Sequence, residues 1–264
     1  MHGIQAQTTQ PSWLAPREHG AYGQLLAPML AAIFAGHFSW AGIAYGLAGT
    51  CAFYAHEPWL VMIGQRGTRA QRQQLKLAKR QLWWLVTCAL LLAAIALLLS
   101  DRNARVFALL LALLGSSAAA MSRSELIHTS FGEVWAGVVL SCLGVPIALA
   151  AGVSFSTAVA MWIAWSLAFA SGVFAVRGLI DRRKIGSRGP APWGLLIACL
   201  GLGIEATWCA PMVLAVIPFT LTCGGVLLWA PTPRLLRTIG WTLVGLTVLA
   251  AILMVFAARM TRFS

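Results

Sequence analysis

Charged side chains are scarce in this chain. Only 10% of its 264 residues are charged, whereas a soluble domain carries roughly a quarter. Hydrophobic residues make up 59% of the sequence, and they form continuous blocks rather than the alternating pattern of transmembrane β-barrel strands. These observations exclude a soluble domain and a barrel, and they predict an all-α, polytopic transmembrane helical bundle.

The sequence also lacks a C-x-x-C motif, and we expect no cleavable signal peptide in its first residues. Its six cysteines are scattered through apolar blocks, which is typical of packing residues rather than of metal ligands or disulfides. The first residues contain no basic segment followed by an apolar core. We expect residues 1–16 to be a disordered cytoplasmic tail and residues 17–264 to be a single transmembrane domain.

The net charge of +12 raises the question of a nucleic-acid partner, but the distribution of lysine and arginine argues against one. These residues cluster in short segments between apolar blocks, as membrane topology determinants do. We expect the lipid bilayer to be a partner and nucleic acid not to be one.

About nine transmembrane helices are predicted, at residues 21–37, 41–63, 83–100, 105–121, 133–152, 157–177, 193–209, 211–230 and 238–258. With the N-terminus inside the cell and the C-terminus outside, 15 of the 19 lysines and arginines fall on the cytoplasmic side, as the positive-inside rule requires. Glu205 is either an intramembrane acid or part of an external turn, and we favour the turn because no cationic partner is nearby in the sequence.

Polar residues interrupt the start of the first predicted span. Arg17, Glu18 and His19 lie where the chain enters the membrane, and Gln24 follows within two turns. These groups either anchor the helix at the interface or face a cavity that opens to the cytoplasm.

A second interruption lies near the inner end of the second span, in "FYAHEPWLVMIGQRG" at residues 53–67. Tyr54 and Glu57 are three positions apart on a helix, and His56 is adjacent to Glu57. A carboxylate and an imidazole at that depth are costly unless they are paired or hydrated. The two residues therefore either face a polar cavity or form a buried structural hydrogen-bonded pair.

Basic residues follow this motif. Between residues 66 and 80 they recur at three- and four-residue steps, which predicts a short interfacial helix that binds anionic lipid headgroups. A basic lid over an anionic ligand is the alternative interpretation.

A related pattern ends the sixth span. Arg177 and Asp181 are four positions apart and able to pair on one helix face, and Arg188 is flanked by glycines in Ile-Gly-Ser-Arg-Gly, as Arg66 is in Ile-Gly-Gln-Arg-Gly. Such segments bind phosphate or carboxylate groups, although they are also typical of ordinary cytoplasmic loops.

Two stretches carry a resemblance to a known family. "REHGAYGQLLAPML", starting at Arg17, and "FYAHEPWLVMI", starting at Phe53, are similar to the YwiC-like family of bacterial membrane proteins. The resemblance implies a location in the bacterial inner membrane, and it implies no biochemical activity.

The layout of the chain resembles the UbiA superfamily of intramembrane prenyltransferases, which have nine helices and functional loops after the second and sixth. Those enzymes hold a prenyl diphosphate through Mg²⁺ on several aspartates. The resemblance implies Glu57 and Asp181 as metal ligands here, but two carboxylates are too few for a two-metal diphosphate site. If the chain is an enzyme, the resemblance implies an atypical prenyltransferase-type transferase.

We predict a cytoplasm-facing polar cavity that binds or processes an isoprenoid, quinone-like or lipid-phosphate ligand, a hydrophobic or lipid-like small molecule. A transporter of a small anion or metabolite and a non-catalytic membrane scaffold are the alternatives. The predicted lining residues are Arg17, Glu18, His19, Gln24, Tyr54, His56, Glu57, Arg66, Arg177, Asp181 and Arg188.

Overall fold

The described part of the chain is helical. The computed structural model describes residues 13–124, 126, 129–186, 189–229, 231 and 235–261. Its helices are α1 (His19–Ala35), α2 (Trp40–Met62), α3 (Thr68–Leu99), α4 (Arg102–Met121), α5 (Ser130–Cys142), α6 (Gly144–Ala150), α7 (Phe155–Ile185), α8 (Ala191–Trp229) and α9 (Leu236–Met260). The all-α prediction is therefore confirmed for these residues, which contain no strand.

Side-chain caps fix where several helices begin. The Ser39 hydroxyl accepts a hydrogen bond from the Gly42 amide at the start of α2 (3.2 Å). The Asp101 carboxylate does the same for the Ala104 amide of α4 (2.9 Å). Each cap satisfies an amide that has no partner inside its helix. Short polar residues between apolar blocks therefore set the helix boundaries.

α2 and α3 pack as a hairpin joined by a short turn with two glycines. Gly64 and Gly67 have φ values of +83° and +91°, which side chains disfavour. α3 then runs without a break from Thr68 to Leu99. The prediction of a separate short interfacial helix was wrong, because nothing between its basic half and the following apolar half interrupts helical geometry.

α8 folds back on itself. Cys209 has non-helical dihedral angles, φ −149° and ψ 59°, and Pro211, two residues later, has no amide hydrogen for the helix. Leu195 Cδ2 lies 4.0 Å from the position that a Cβ atom of Gly224 would occupy. The 29 positions between these residues would span about 43 Å in a straight helix. α8 therefore consists of two antiparallel arms that meet at Cys209.

This reversal corrects the prediction for Glu205. The chain turns at Cys209, and Glu205 is on the first arm of α8 with only 1% of its surface exposed. The proline, rather than the acid, determines where the chain turns.

The ends of the helices lie on two faces of the bundle. On the first, the indole N–H of Trp59 near the end of α2 donates to the hydroxyl of Ser122 after α4 (3.0 Å). Arg177, near the end of α7, binds Glu133 in the first turn of α5 (2.9 Å between Nε and Oε2). We call this end the Glu57 face.

The opposite end we call the His37 face. There the amide of His37, just after α1, donates to the carbonyl of Ala151, just after α6 (3.0 Å). The hydroxyls of Thr157 in the first turn of α7 and Thr261 after α9 lie 3.4 Å apart. Contacts on both faces therefore join elements that are distant in the sequence.

Six described helices or helix pairs are long and apolar enough to cross a membrane. α3 and α4 expose most of their apolar side chains; Leu98 is 80% exposed and Leu113 is 70% exposed. Such an apolar exterior is stable in contact with lipid. The chain is a multi-pass membrane protein, and the six segments are Thr68–Leu99, Arg102–Met121, Ser130–Ala150, Phe155–Arg182, Ala191–Trp229 and Arg237–Met260.

Candidate functional site

A salt bridge between Glu57 and Arg66 is the centre of the Glu57 face. Glu57 lies near the end of α2, and Arg66 lies in the turn that follows it. The guanidinium donates from Nε to Oε1 (2.9 Å) and from Nη2 to Oε2. Glu57 is 1% exposed. The turn at Gly64 thus places the Arg66 guanidinium next to the Glu57 carboxylate. This ion pair compensates for the removal of the carboxylate from water.

Two residues before α1 complete this group. Arg66 Nη2 also donates to Oε1 of Glu18 (3.0 Å), and Nε of Arg17 lies 3.6 Å from Oε1 of Glu57. We call Arg17, Glu18, Glu57 and Arg66 the Glu57 cluster. Its two acidic and two basic side chains balance in charge. The cluster therefore ties the entry of α1 to the end of α2.

Exposure differs strongly within the Glu57 cluster. The side chain of Arg17 is 65% exposed and that of Glu18 is 54% exposed, whereas that of Arg66 is 20% exposed. Burial disfavours the charged guanidinium of Arg66, but the hydrogen bonds that it donates to Glu57 and Glu18 outweigh this and raise its pKa. Arg66 is hydrogen-bonded to Glu57 and Glu18, whereas the side chain of Arg17 is exposed to the outside of the cluster.

Aromatic rings border the Glu57 cluster. The Tyr22 ring packs edge-on against Phe53, with centroids 5.1 Å apart, and against Tyr54, with centroids 6.1 Å apart. The Tyr22 hydroxyl donates to the carbonyl of Pro16 (3.1 Å). Half-buried His56 lies within electrostatic range of Glu18, Glu57 and Arg66. Charged groups and an aromatic wall therefore adjoin each other on this face.

A glutamine that the sequence did not single out holds the segment before α1. The Gln81 side chain of α3 accepts from the Leu14 amide (2.9 Å) and donates to the Leu14 carbonyl (2.6 Å). Both residues are buried. Leu14, which the sequence placed in the tail, is thus held against α3, and residues 1–12 lie outside the described residues. No local sequence pattern indicates a pairing over 67 positions.

A second polar group on the same face contains Arg177 and Asp181. Arg177 donates to both carboxylate oxygens of Glu133, an acid that the sequence did not assign to the site. The Asp181 carboxylate lies by Gly189, with Oδ2 3.2 Å from the position of a Cβ at that glycine. Arg177 and Asp181 therefore share the end of α7, as expected, but the structure adds a partner 44 positions away.

The structure thus divides the predicted site into separate groups. Arg17 and Arg66 contact Glu57, Glu18 binds Arg66, and Tyr54 and His56 are adjacent, whereas Arg177 and Asp181 belong to the second group. Gln24 lies deeper, against Gly137 of α5, with its Nε2 3.5 Å from the position of a Cβ there. The side chain of His19 and all of Arg188 lie outside the described residues.

The arrangement does not fit the magnesium site implied by Glu57 and Asp181. Both Glu57 oxygens accept hydrogen bonds from Arg66, and Asp181 lies in the other polar group. Among the described residues, no three histidine, cysteine, aspartate or glutamate side chains form a group able to hold a metal ion. A hard divalent cation needs several free oxygen ligands.

A cavity of about 230 Å³ lies at the His37 face, opposite the Glu57 cluster. Its lining is mainly apolar, including Ile33, Ile43 and Ile147, and it also contains His37 and Arg259. Arg259 donates from Nε and Nη2 to the carbonyl of Phe34 (3.2 and 2.9 Å). This cavity is distinct from the predicted cytoplasm-facing one.

Comparison with known proteins places the chain in a family. The sequence profile of the YwiC-like protein family matches residues 15–149, just over half of the chain. The match includes α1 to α5 and the whole Glu57 cluster. No curated protein and no solved structure matches the chain. The chain belongs to the YwiC-like protein family.

Proposed function

We propose that this YwiC-like membrane protein binds an anionic, lipid-like molecule at its Glu57 face. The supporting observation is the position of Arg17. It lies at the edge of the Glu57 cluster with its side chain 65% exposed. The aromatic wall that borders this cluster consists of Tyr22, Phe53 and Tyr54, whose rings contact one another. An exposed guanidinium suits a phosphate or carboxylate, and an aromatic wall suits an isoprenoid, a quinone-like ring or an acyl chain.

The first half of α3 supports an anionic ligand. Its basic side chains are exposed in a segment that follows directly from the Glu57 cluster: Arg69, Arg72, Lys76, Lys79 and Arg80. A basic stripe on a helix that enters the membrane attracts anionic headgroups. The stripe therefore either concentrates anionic lipid near the cluster or contacts the head of the ligand directly.

The membrane topology is part of the proposal. We propose nine crossings in the bacterial inner membrane, with the N-terminus inside, the C-terminus outside and the Glu57 face toward the cytoplasm. Six segments are long and apolar enough to cross. Counting the two arms of α8 separately and adding α1 and α2 gives nine. α2 is the least apolar of these because it carries His56, Glu57 and several glycines. The excess of lysine and arginine on one side supports the orientation.

Binding without a metal ion is the form of the activity that we favour. A UbiA-like arrangement of nine helices is part of the proposal, but the carboxylates that would hold Mg²⁺ are either bound to arginine or lie in another group. Arginine recognises a phosphate directly. The protein would then bind or present a phosphorylated lipid without cleaving the bond between the lipid and its phosphate.

A scaffold role is the second candidate, and the closed Glu57–Arg66 bridge favours it. Both oxygens of Glu57 are bonded, so this pair alone would stabilise the hairpin of α2 and α3 without any ligand. Under this hypothesis, Arg17 is an interfacial anchor.

Matched ligands separate the two candidates. Purified protein in nanodiscs of zwitterionic lipid would be titrated with an isoprenyl monophosphate and with the corresponding isoprenyl alcohol, and tryptophan fluorescence would be measured. We expect the phosphate to bind about tenfold more tightly or better, a difference of about 1.4 kcal/mol, in the presence of a metal chelator.

Variants locate the site. Arg17→Ala should abolish the preference for phosphate, whereas Arg102→Ala, at the opposite face, should preserve it. Equal binding of alcohol and phosphate, or an unchanged preference in Arg17→Ala, would reject ligand binding at this site and leave the scaffold role.

A further inference from the structure

Glu205 is a buried acid outside both polar groups of the Glu57 face. It lies on the first arm of α8 and is 1% exposed. The backbone of Ala164 on α7 approaches the carboxyl, but neither carboxyl oxygen makes a regular hydrogen bond with any described group. An ionised carboxylate in this setting would lack both water and a counter-ion, which costs several kcal/mol or more. The neutral acid avoids that cost.

Among the described residues, no cation interacts with Glu205 and offers an alternative. The α7 sequence from Phe155 to Val176 and the α9 sequence from Thr238 to Ala258 contain no titratable side chain, and the second arm of α8 contains only the thiol of Cys223. The titratable group that interacts with Glu205 is Cys209, four positions along α8. Without a cation within reach, a proton is what can neutralise the carboxylate.

The break in α8 lies directly beside this acid. Cys209 departs from helical geometry one turn after Glu205, and Pro211 cannot donate to the carbonyl of Thr207. Trp165, next to Ala164 on α7, also has a buried indole N–H without a hydrogen-bond partner. The helix break and the unpaired indole N–H are polar features close to Glu205 in an otherwise apolar part of the bundle, and polar groups of this kind support proton exchange inside a membrane protein.

The geometry points to Glu205 as an intramembrane proton-binding site: a carboxylic acid that holds a proton and exchanges it with water through the helix break at Cys209. On release, the O–H bond breaks, the electron pair stays on the carboxylate and the proton passes to water. This site is separate from the Glu57 cluster, and it stands or falls independently of ligand binding there.

Infrared difference spectroscopy tests the protonation. The spectra of wild-type protein and of the Glu205→Gln variant are recorded in nanodiscs at neutral pH and subtracted. The difference spectrum should show the carbonyl stretch of a protonated carboxylic acid, and this band should shift when the buffer is changed to D₂O. Carboxylate bands in its place would overturn the proposal. A carboxylic acid band that does not shift in D₂O would show a sealed group and would overturn proton exchange.

Chemical modification gives a second, independent measurement. Dicyclohexylcarbodiimide takes the proton of a neutral carboxylic acid and adds to its oxygen, and the adduct rearranges to a stable N-acylurea. Peptide mass spectrometry should find this modification on Glu205, with less at higher pH, and not on Glu57, which is equally buried but bound to arginine. Equal modification of both acids, or modification of neither, would contradict the assignment.

Discussion

The guanidinium of Arg66 donates hydrogen bonds to both carboxylate oxygens of Glu57, although the carboxylate is buried and the arginine lies beyond the end of the helix. This relationship depends on the turn between them. Gly64 adopts a positive φ of 83°, which turns the chain and returns Arg66 toward α2. A membrane helix thereby carries an acid at its end without leaving an isolated charge.

Replacing Arg66 should show how much the pairing with Glu57 contributes to stability. In Arg66→Met, the buried carboxylate of Glu57 loses both hydrogen bonds from Arg66 and keeps only the exposed Arg17, 3.6 Å away, so we expect a loss of about 3 kcal/mol of stability. Glu57→Gln combined with Arg66→Met removes both charges and should recover much of that loss. Unfolding in mixed micelles measures both variants. A double variant no more stable than Arg66→Met would show that the pair is not the origin of the effect.

The segment before α1 should depend on one side chain of α3. Gln81→Ala leaves the buried amide and carbonyl of Leu14 without partners, at about 1–3 kcal/mol for each unsatisfied group. Hydrogen exchange at Leu14 should become markedly faster. The control, Gln73→Ala, removes an exposed glutamine of the same helix and should leave that exchange rate unchanged. Identical rates in the two variants would contradict the clamp.

Two glycines with open surroundings should respond in opposite directions to alanine. Gly67 has a φ of +91°, so Gly67→Ala should destabilise the protein by about 1–2 kcal/mol through backbone strain alone. Gly23 lies inside α1, and nothing lies within 4 Å of its added Cβ, so Gly23→Ala should stabilise the helix by up to about 1 kcal/mol. Thermal unfolding in detergent compares them; shifts of the same sign would contradict this explanation.

The orientation of the bundle can be tested with cysteine labelling. In a cysteine-free background, Arg69→Cys lies on the Glu57 face and Arg102→Cys on the His37 face. In intact cells, a membrane-impermeant maleimide should label only the second, and in inverted vesicles only the first, because the excess of positive charge predicts a cytoplasmic Glu57 face. The reverse pattern would invert the topology, and labelling of both on one side would rule out the odd number of crossings between them.

Local information in the sequence determined the class and the helices of this protein. Long apolar blocks with few charges require a helical membrane protein because lipid cannot satisfy free backbone groups. Each predicted segment overlaps a described helix, although several ends differ by one or two residues, and the break expected between residues 209 and 211 lies at Cys209, next to Pro211 in the sequence. The polar residues near the ends of α1, α2 and α7 were also identified, since charges inside apolar blocks are conspicuous.

Pairings over long distances were decided only by the tertiary structure. Glu57 is neutralised by Arg66 rather than paired with His56, Arg177 gains Glu133 from 44 positions away, and Leu14 is held by Gln81. Helical periodicity specifies the face that a side chain occupies but not which helix packs against that face. The packing of α7 against α8 likewise buried Glu205, because the position of an acid relative to a neighbouring helix is not encoded in its local sequence.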